Sequence, residues 1–419
     1  MKTVLAFCLV NPALGLGRWW RSLLALVLVA AVAVGCGGGG GSTSVAGVGS
    51  GGTGSFTSGP ITGFGSIIVN GIRFDESAAS ASGSIKDDDG VVGSSGSLKL
   101  GMVVNVTGSS IDNSSTVPAA TATAVTFVSE YLGAITAIST TTKTLVLLGK
   151  TIAVTGSTFF DDSLQNGFAD LKAGMLVEVY GFYDSVSSVF TATRIEQKSA
   201  STDTKLIGEV TNLNTASSTF ALGLVTVSYA TIKPVTLANG QVVRVKGVFN
   251  KAGVLEASRV RLQEFGAQSI GVRDDAKVEG VVDPFTSAVS FSVNGVKVDA
   301  RNAVVSGGVV AQGVRVEVEG STTSDSVLVA RKVTVKTSSQ VDMGEFRITD
   351  VVTNLTPASK TFLVRGVKVD YSGTLGAVDY RGGVEADLGK TPAPTIEVTG
   401  MRSVSTGSLI VATRIKFNK

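Results

Sequence analysis

The chain contains no histidine. That removes the Ser-His-Asp arrangement, histidine acid–base catalysis and most zinc sites, since no other unperturbed side chain changes charge near neutral pH. Cysteine is nearly absent too. The 419 residues hold two, Cys8 and Cys36, so nothing after residue 36 can form a disulfide, a thiolate metal site or a cysteine nucleophile. Tryptophan occurs only as Trp19 and Trp20. Aromatics make up 6% of the chain, which leaves little for base or sugar stacking. Hydrophobic residues nonetheless reach 43%, mostly Val, Ile, Leu and Ala, enough to build cores and to exclude wholesale disorder. Short Val/Thr runs punctuated by 51 glycines predict an all-β protein.

The N-terminus reads as an export signal. Arg18 and Arg21 precede SLLALVLVAAVAVGC, Ser22 to Cys36, a basic flank followed by an apolar run and small residues. The run is short and wrongly flanked for a membrane span. AVGC at 33–36 resembles the lipobox of bacterial lipoproteins, with residues 1–35 cleaved and Cys36 lipidated; Ala33 stands where leucine is commonest. An ordinary signal peptide or an uncleaved anchor is the alternative. Gly37 replaces the aspartate that resembles an inner-membrane retention signal, so the expected destination is the outer membrane, facing the periplasm or the cell surface. Cleavage would remove Lys2, Arg18 and Arg21 and no acid, turning 36 basic and 33 acidic residues into 33 of each. A chain-wide basic field for nucleic acid is therefore not expected. Ten of the 22 residues from 37 to 58 are glycine, so 36–58 reads as a lipidated cysteine and a flexible tether spanning about 25 Å.

Four signatures then recur in one order. A short strand appears as GPIT at 59, GAIT at 133, GEVT at 208, GVVD at 280 and DVVT at 350. A hairpin turning on glycine follows: IIVNGIRF at 67, LVLLGKTIAV at 145, FALGLVTV at 220, FSVNGVKV at 291 and FLVRGVKV at 362. Asn70-Gly71 and Asn294-Gly295 suit a type I′ turn, which needs positive φ at both central residues; Arg365-Gly366 is a poorer version. The third signature is LKLGMVVNVTG at 98, LKAGMLVEVYG at 171, LANGQVVRVKG at 237 and VAQGVRVEVEG at 310. Its fifth copy, IEVTG at 396, follows an insertion, KTPAPT. The unit closes with ATAV at 122, ATRI at 192, ASRV at 257, ARKV at 330 and ATRI at 412.

This predicts five tandem repeats, over 59–130, 131–203, 204–268, 276–340 and 345–419. Alternation such as Val177-Glu178-Val179 predicts half-buried strands, about five per unit. Five short strands suggest a small OB-like β-barrel, with a small β-sandwich as the alternative. Units of this size are marginal alone, so neighbours are expected to share contacts along a rod or a curved string.

The progression GxVT, FxVxGxxV, LxxGxxVxVxG, AxxV resembles that of bacterial lipoproteins carrying tandem copies of a domain of unknown function, across residues 59–418. The resemblance implies an envelope location and an OB-like architecture. Its motifs are structural glycines and valines, and it brings no catalytic residues.

Candidate sites are few. No metal site is expected: Asp87, Asp88 and Asp89 in KDDDG are weak metal candidates that lack EF-hand spacing and read first as a solvated turn. The closing strands carry Arg194, Arg259, Lys332 and Arg414, either a stripe for an anionic polymer or charges that guard exposed edges. Phe159, Phe160, Tyr180, Phe182 and Tyr183 are the least repeat-like aromatics and form the candidate ligand surface, with ordinary packing as the alternative. No cofactor is expected. The functional expectation is a non-enzymatic, lipid-anchored scaffold, spacer or surface binding module. The alternatives are a periplasmic accessory factor that binds an envelope protein or anionic polysaccharide during assembly or secretion, and, remotely, a single-site enzyme.

Overall fold

The computed structural model describes residues 54–115, 117–232, 236–262, 270–337, 345–402 and 409–418. The predicted signal, Cys36 and most of the tether lie outside them. Strands dominate, as the Val/Thr runs require. The first group is β1 (Ser55–Phe64), β2 (Ile67–Val69), β3 (Ile72–Asp75), β4 (Ile85–Asp87), β5 (Val103–Gly108) and β6 (Ala119–Phe127). The second is β7 (Tyr131–Ser139), β8 (Thr144–Leu147), β9 (Lys150–Phe160), β10 (Leu176–Asp184) and β11 (Val189–Gln197). The third is β12 (Thr204–Asn214), β13 (Thr219–Leu222), β14 (Val225–Ser228), β15 (Val242–Phe249) and β16 (Leu255–Leu262).

The fourth group is β17 (Arg273–Ser287), β18 (Ser290–Val293), β19 (Val296–Asp299), β20 (Val304–Ser306), β21 (Arg315–Thr322) and β22 (Leu328–Val335). The fifth is β23 (Glu345–Thr356), β24 (Thr361–Val364), β25 (Val367–Asp370), β26 (Asp379–Arg381), β27 (Thr395–Arg402) and β28 (Ile410–Phe417). No helix of the described residues is long and apolar enough to cross a membrane.

Two small five-stranded barrels are the simplest parts. In one, β7 pairs with β8, β8 with β9, β9 with β11, β11 with β10, and β10 returns to β7. Every pair is antiparallel except β9–β11. The other runs β12, β13, β14, β16, β15 and back to β12, again with one parallel pair, β14–β16. Closure leaves no open edge for another chain to extend. Their inward side chains merge into one apolar cluster that includes Tyr131, Phe190, Phe220 and Val245. In the first, fourth and fifth groups a short extra strand, β4, β20 or β26, runs parallel to the closing strand. Three residues carry too little periodicity to be read from sequence.

The groups are not strung in file. β1 joins three of them. Ser55–Ser58 pair with Asp275–Val278 of β17, and Gly63 and Phe64 pair with Arg347 and Ile348 of β23. A Cβ on Gly63 would stand 2.2 Å from the Arg347 carbonyl, so only glycine permits that approach. Residues 55–58, read from sequence as tether, are therefore strand, and Ser55, Thr57 and Ser58 are fully buried. The second group touches the first at Gly101, where a Cβ would meet the Thr193 carbonyl at 2.3 Å. It touches the fourth through Asp283, which accepts hydrogen bonds from Ser185 at 2.7 and 2.8 Å. The rod or string expected from repeat logic is replaced by a body in which strand faces expected to meet solvent meet one another.

Candidate functional site

Two of the places where strand groups meet hold residues singled out in the sequence. The first is built on the KDDDG loop. Asp87 behaves as the turn residue its sequence suggests, accepting from the Asp89 and Val91 amides at 3.0 and 2.7 Å. Asp88 and Asp89 instead reach the third group. Lys205 Nζ lies 3.2 Å from Asp88, while Lys246 and Arg259 donate to Asp89 at 2.7 and 2.6 Å. Arg261 donates to the Asp88 carbonyl. Behind them Glu130 accepts two hydrogen bonds from Arg244, at 2.5 and 2.6 Å, the strong bidentate geometry. Ser129 donates to Glu178 at 2.6 Å.

Burial pushes the Asp88 carboxyl above its ordinary range, and Lys205 only partly opposes this. Burial would also raise Asp89, but Lys246, Lys205 and Arg259 together hold it lower than usual. The space left among these groups is about 20 Å³. The three aspartates do place carboxylate oxygens within 4.8 Å of one another. A divalent ion there would have to displace Lys205, Lys246 and Arg259, and calcium would still want six or more oxygens.

The four closing-strand cations do not form one exposed stripe. Arg194 is buried, 2.6 Å from Glu196 and 3.1 Å from the Leu100 carbonyl it donates to. Arg259 belongs to the acidic-loop socket. Lys332 and Arg414 are half exposed beside Glu319 and Asp379, at 3.8 and 3.0 Å. The polymer-stripe pattern fails because the second group's closing strand faces other groups rather than solvent.

The five candidate aromatics are likewise interior. Tyr180, Phe182 and Tyr183 are buried, with Phe182 between Val103 and Val281 and capped by Arg315 at 4.9 Å. Phe159 and Phe160 are 3% and 4% exposed, and Phe159 meets Phe346 edge-on at 4.5 Å. Arg402 lies 5.0 Å from both ring centres. Its burial, with Arg194 adding repulsion, lowers its pKa to about 9.

Phe159, Phe160 and Arg194 nonetheless converge on the second place, a cleft of about 1230 Å³. One wall is the outer face of the β24–β25 hairpin, with Leu363, Arg365 and Lys368. The lining also takes in Leu98, Lys99 and Leu100 of the first group and Asp162, Gln165, Asn166 and Ala169 of the second. Arg365 stacks on Phe64 at 4.5 Å. Sequence reasoning missed Lys99, Arg365 and Lys368, since only the folding together of distant groups makes them neighbours. One signal was present: Arg365 stands at the turn position that the first and fourth groups give to Asn70 and Asn294. All three have φ near +50°, which asparagine adopts more readily than arginine.

No curated protein matches the chain. A family model described as Domain of unknown function (DUF5666) matches residues 133–196, 207–261 and 279–334. These segments fall on β7–β11, β12–β16 and β17–β22. The chain is thus similar to that family over three tandem copies of a small β domain.

Proposed function

We propose that this chain is a non-enzymatic, lipid-anchored protein of the bacterial cell envelope, a binding module made of five OB-like units folded onto one another. The cleft carries the reading. It is built jointly by three strand groups, it is larger than the roughly 300–1,000 Å³ of most small-molecule sites, and it sits in a chain without histidine. The five-unit reading rests on the strand order. First, second, third, fifth, fourth and back to first is the order of an OB barrel. It recurs in β1–β2–β3–β6–β5, in β17–β18–β19–β22–β21 and in β23–β24–β25–β28–β27. The anchor rests on AVGC and on the glycine-rich residues 37–54, which would let the body stand about 23 Å from a membrane.

Two experiments test this. Cys36→Ser is expected to abolish incorporation of labelled fatty acid, and retained label would remove the anchor. Protease shaving of whole and lysed cells then assigns the face: cutting in whole cells means the outer surface, cutting only after lysis means the periplasm. A body fully resistant in both, recovered in the cytosol, would contradict the envelope reading.

A further inference from the structure

The cleft is chemically lopsided. Lys99, Arg365 and Lys368 are exposed at its rim, and Asp162 is the one acid among its lining residues. Among the described residues none of these three cations is in a salt bridge, whereas Lys205, Lys246, Lys277 and Arg315 on other strand faces all are. Its rings are sealed beneath the floor, so they offer no open face for stacking a base. Beside the cations a ligand meets amides and hydroxyls, such as Gln165, Asn166 and Asn354, and half-buried aliphatic groups, such as Leu363, Val367 and Leu409, against which the apolar faces of sugar rings can lie. Arg365 holds positive φ at the turn position where sister hairpins have Asn70, Leu148 and Asn294, a conformation arginine adopts less readily than asparagine.

On these grounds we propose that the cleft binds an acidic oligosaccharide, an extended glycan bearing carboxylates. Lys99, Arg365 and Lys368 take the carboxylates, and the side-chain amides and hydroxyls take the sugar hydroxyls. The volume of the cleft, about 1230 Å³, suits several sugar units rather than a metabolite. Charge-assisted hydrogen bonds to Arg and Lys supply orientation, and their rim position makes binding salt-sensitive. The assignment rests on the binding-module reading above and narrows it to one ligand class and one site.

The test is calorimetric titration of the full chain in lipid nanodiscs with an oligogalacturonate of defined length and with its methyl ester. The acid is expected to bind and the uncharged ester to bind about tenfold more weakly. The variant Lys99→Glu/Arg365→Glu/Lys368→Glu is expected to lose about tenfold in affinity for the acid, while Lys332→Glu/Arg414→Glu binds as the parent does. All five residues are exposed, and circular dichroism checks that each variant folds. Equal binding of acid and ester, parent-like binding by the triple variant, or no binding at all overturns the assignment. Loss confined to the Lys332/Arg414 variant overturns the cleft while leaving a glycan-binding module in place. The anchor and face are judged by lipid labelling and shaving, independently of any sugar.

Discussion

The molecule has two cationic faces of opposite condition. On the third group, Lys205, Lys246, Arg259 and Arg261 receive Asp88 and Asp89 from the first group, leaving about 20 Å³ of space. In the cleft, Lys99, Arg365 and Lys368 line about 1230 Å³ with Asp162 the one acid among the lining residues. In the first case the chain supplies its own anion and gains an interface. In the second it supplies almost none. The same residue types therefore do two jobs, and which job depends on whether another group brings carboxylates to them. A buried charge without a partner is unfavourable, so the filled face must stay filled; an exposed one is well hydrated and can wait.

The comparison breaks most visibly at Glu130. It is nearly inaccessible and holds Arg244 with two hydrogen bonds. Glu130→Ala strands the guanidinium and is expected to cost about 3 kcal/mol, read as a lower urea midpoint. Asp89→Ala comes next, at about 2 kcal/mol, because Lys246 and Arg259 are partly exposed and regain water. Two nearly equal midpoints from Glu130→Ala and a surface control would show that the filled face is not a structural joint.

Acid should separate the two aspartates. Asp89 has its pKa lowered below 3.8 in the folded protein, so its contribution is full above that value and drains as pH falls through the lowered pKa. Asp88 is raised, so its ionised form costs stability at neutral pH and that cost fades as pH falls through the raised pKa. Urea midpoints taken from about pH 6 down to about pH 3 should therefore fall less steeply in Asp89→Asn and more steeply in Asp88→Asn. Identical profiles would remove the assigned difference. The smallest effect belongs to the open face. Arg365→Asn relieves the positive-φ turn and is expected to stabilise by about 0.5 kcal/mol while weakening glycan binding, a trade of activity for stability.

Much of the fold was legible because it is written in repeated local chemistry. Gly71, Gly295 and the alternating valines specify hairpins and pleats wherever they occur, and three segments match one family on those same strands. Phe220, Phe291 and Phe362, equivalent in three hairpins, are all buried as their position suggests. Packing between groups was not legible. Glu178 reads as the polar side of a half-exposed strand, yet it is buried against Ser129, Lys198 and Lys205. KDDDG reads as a turn or a metal loop, and only distant partners such as Lys246, 157 residues away, reveal it as half of an interface. The cleft was half visible: Phe159 and Phe160 stood out as the least repeat-like aromatics and Arg194 as one of four recurring closing-strand cations, each a candidate surface group. Lys368 on β25 and Lys99 in the loop before β5 carry no local sign at all, since a lone exposed lysine looks the same whether it faces bulk water or a cleft.

The contrast between a filled and an open cationic face can be seen directly with a heavy anion. Crystals of the protein soaked in selenate should show anomalous density beside Lys99, Arg365 and Lys368, and none among Lys205, Lys246 and Arg259, where Asp88 and Asp89 already sit. Density in the acidic-loop socket, or a cleft that takes no anion while other surface lysines do, would contradict it.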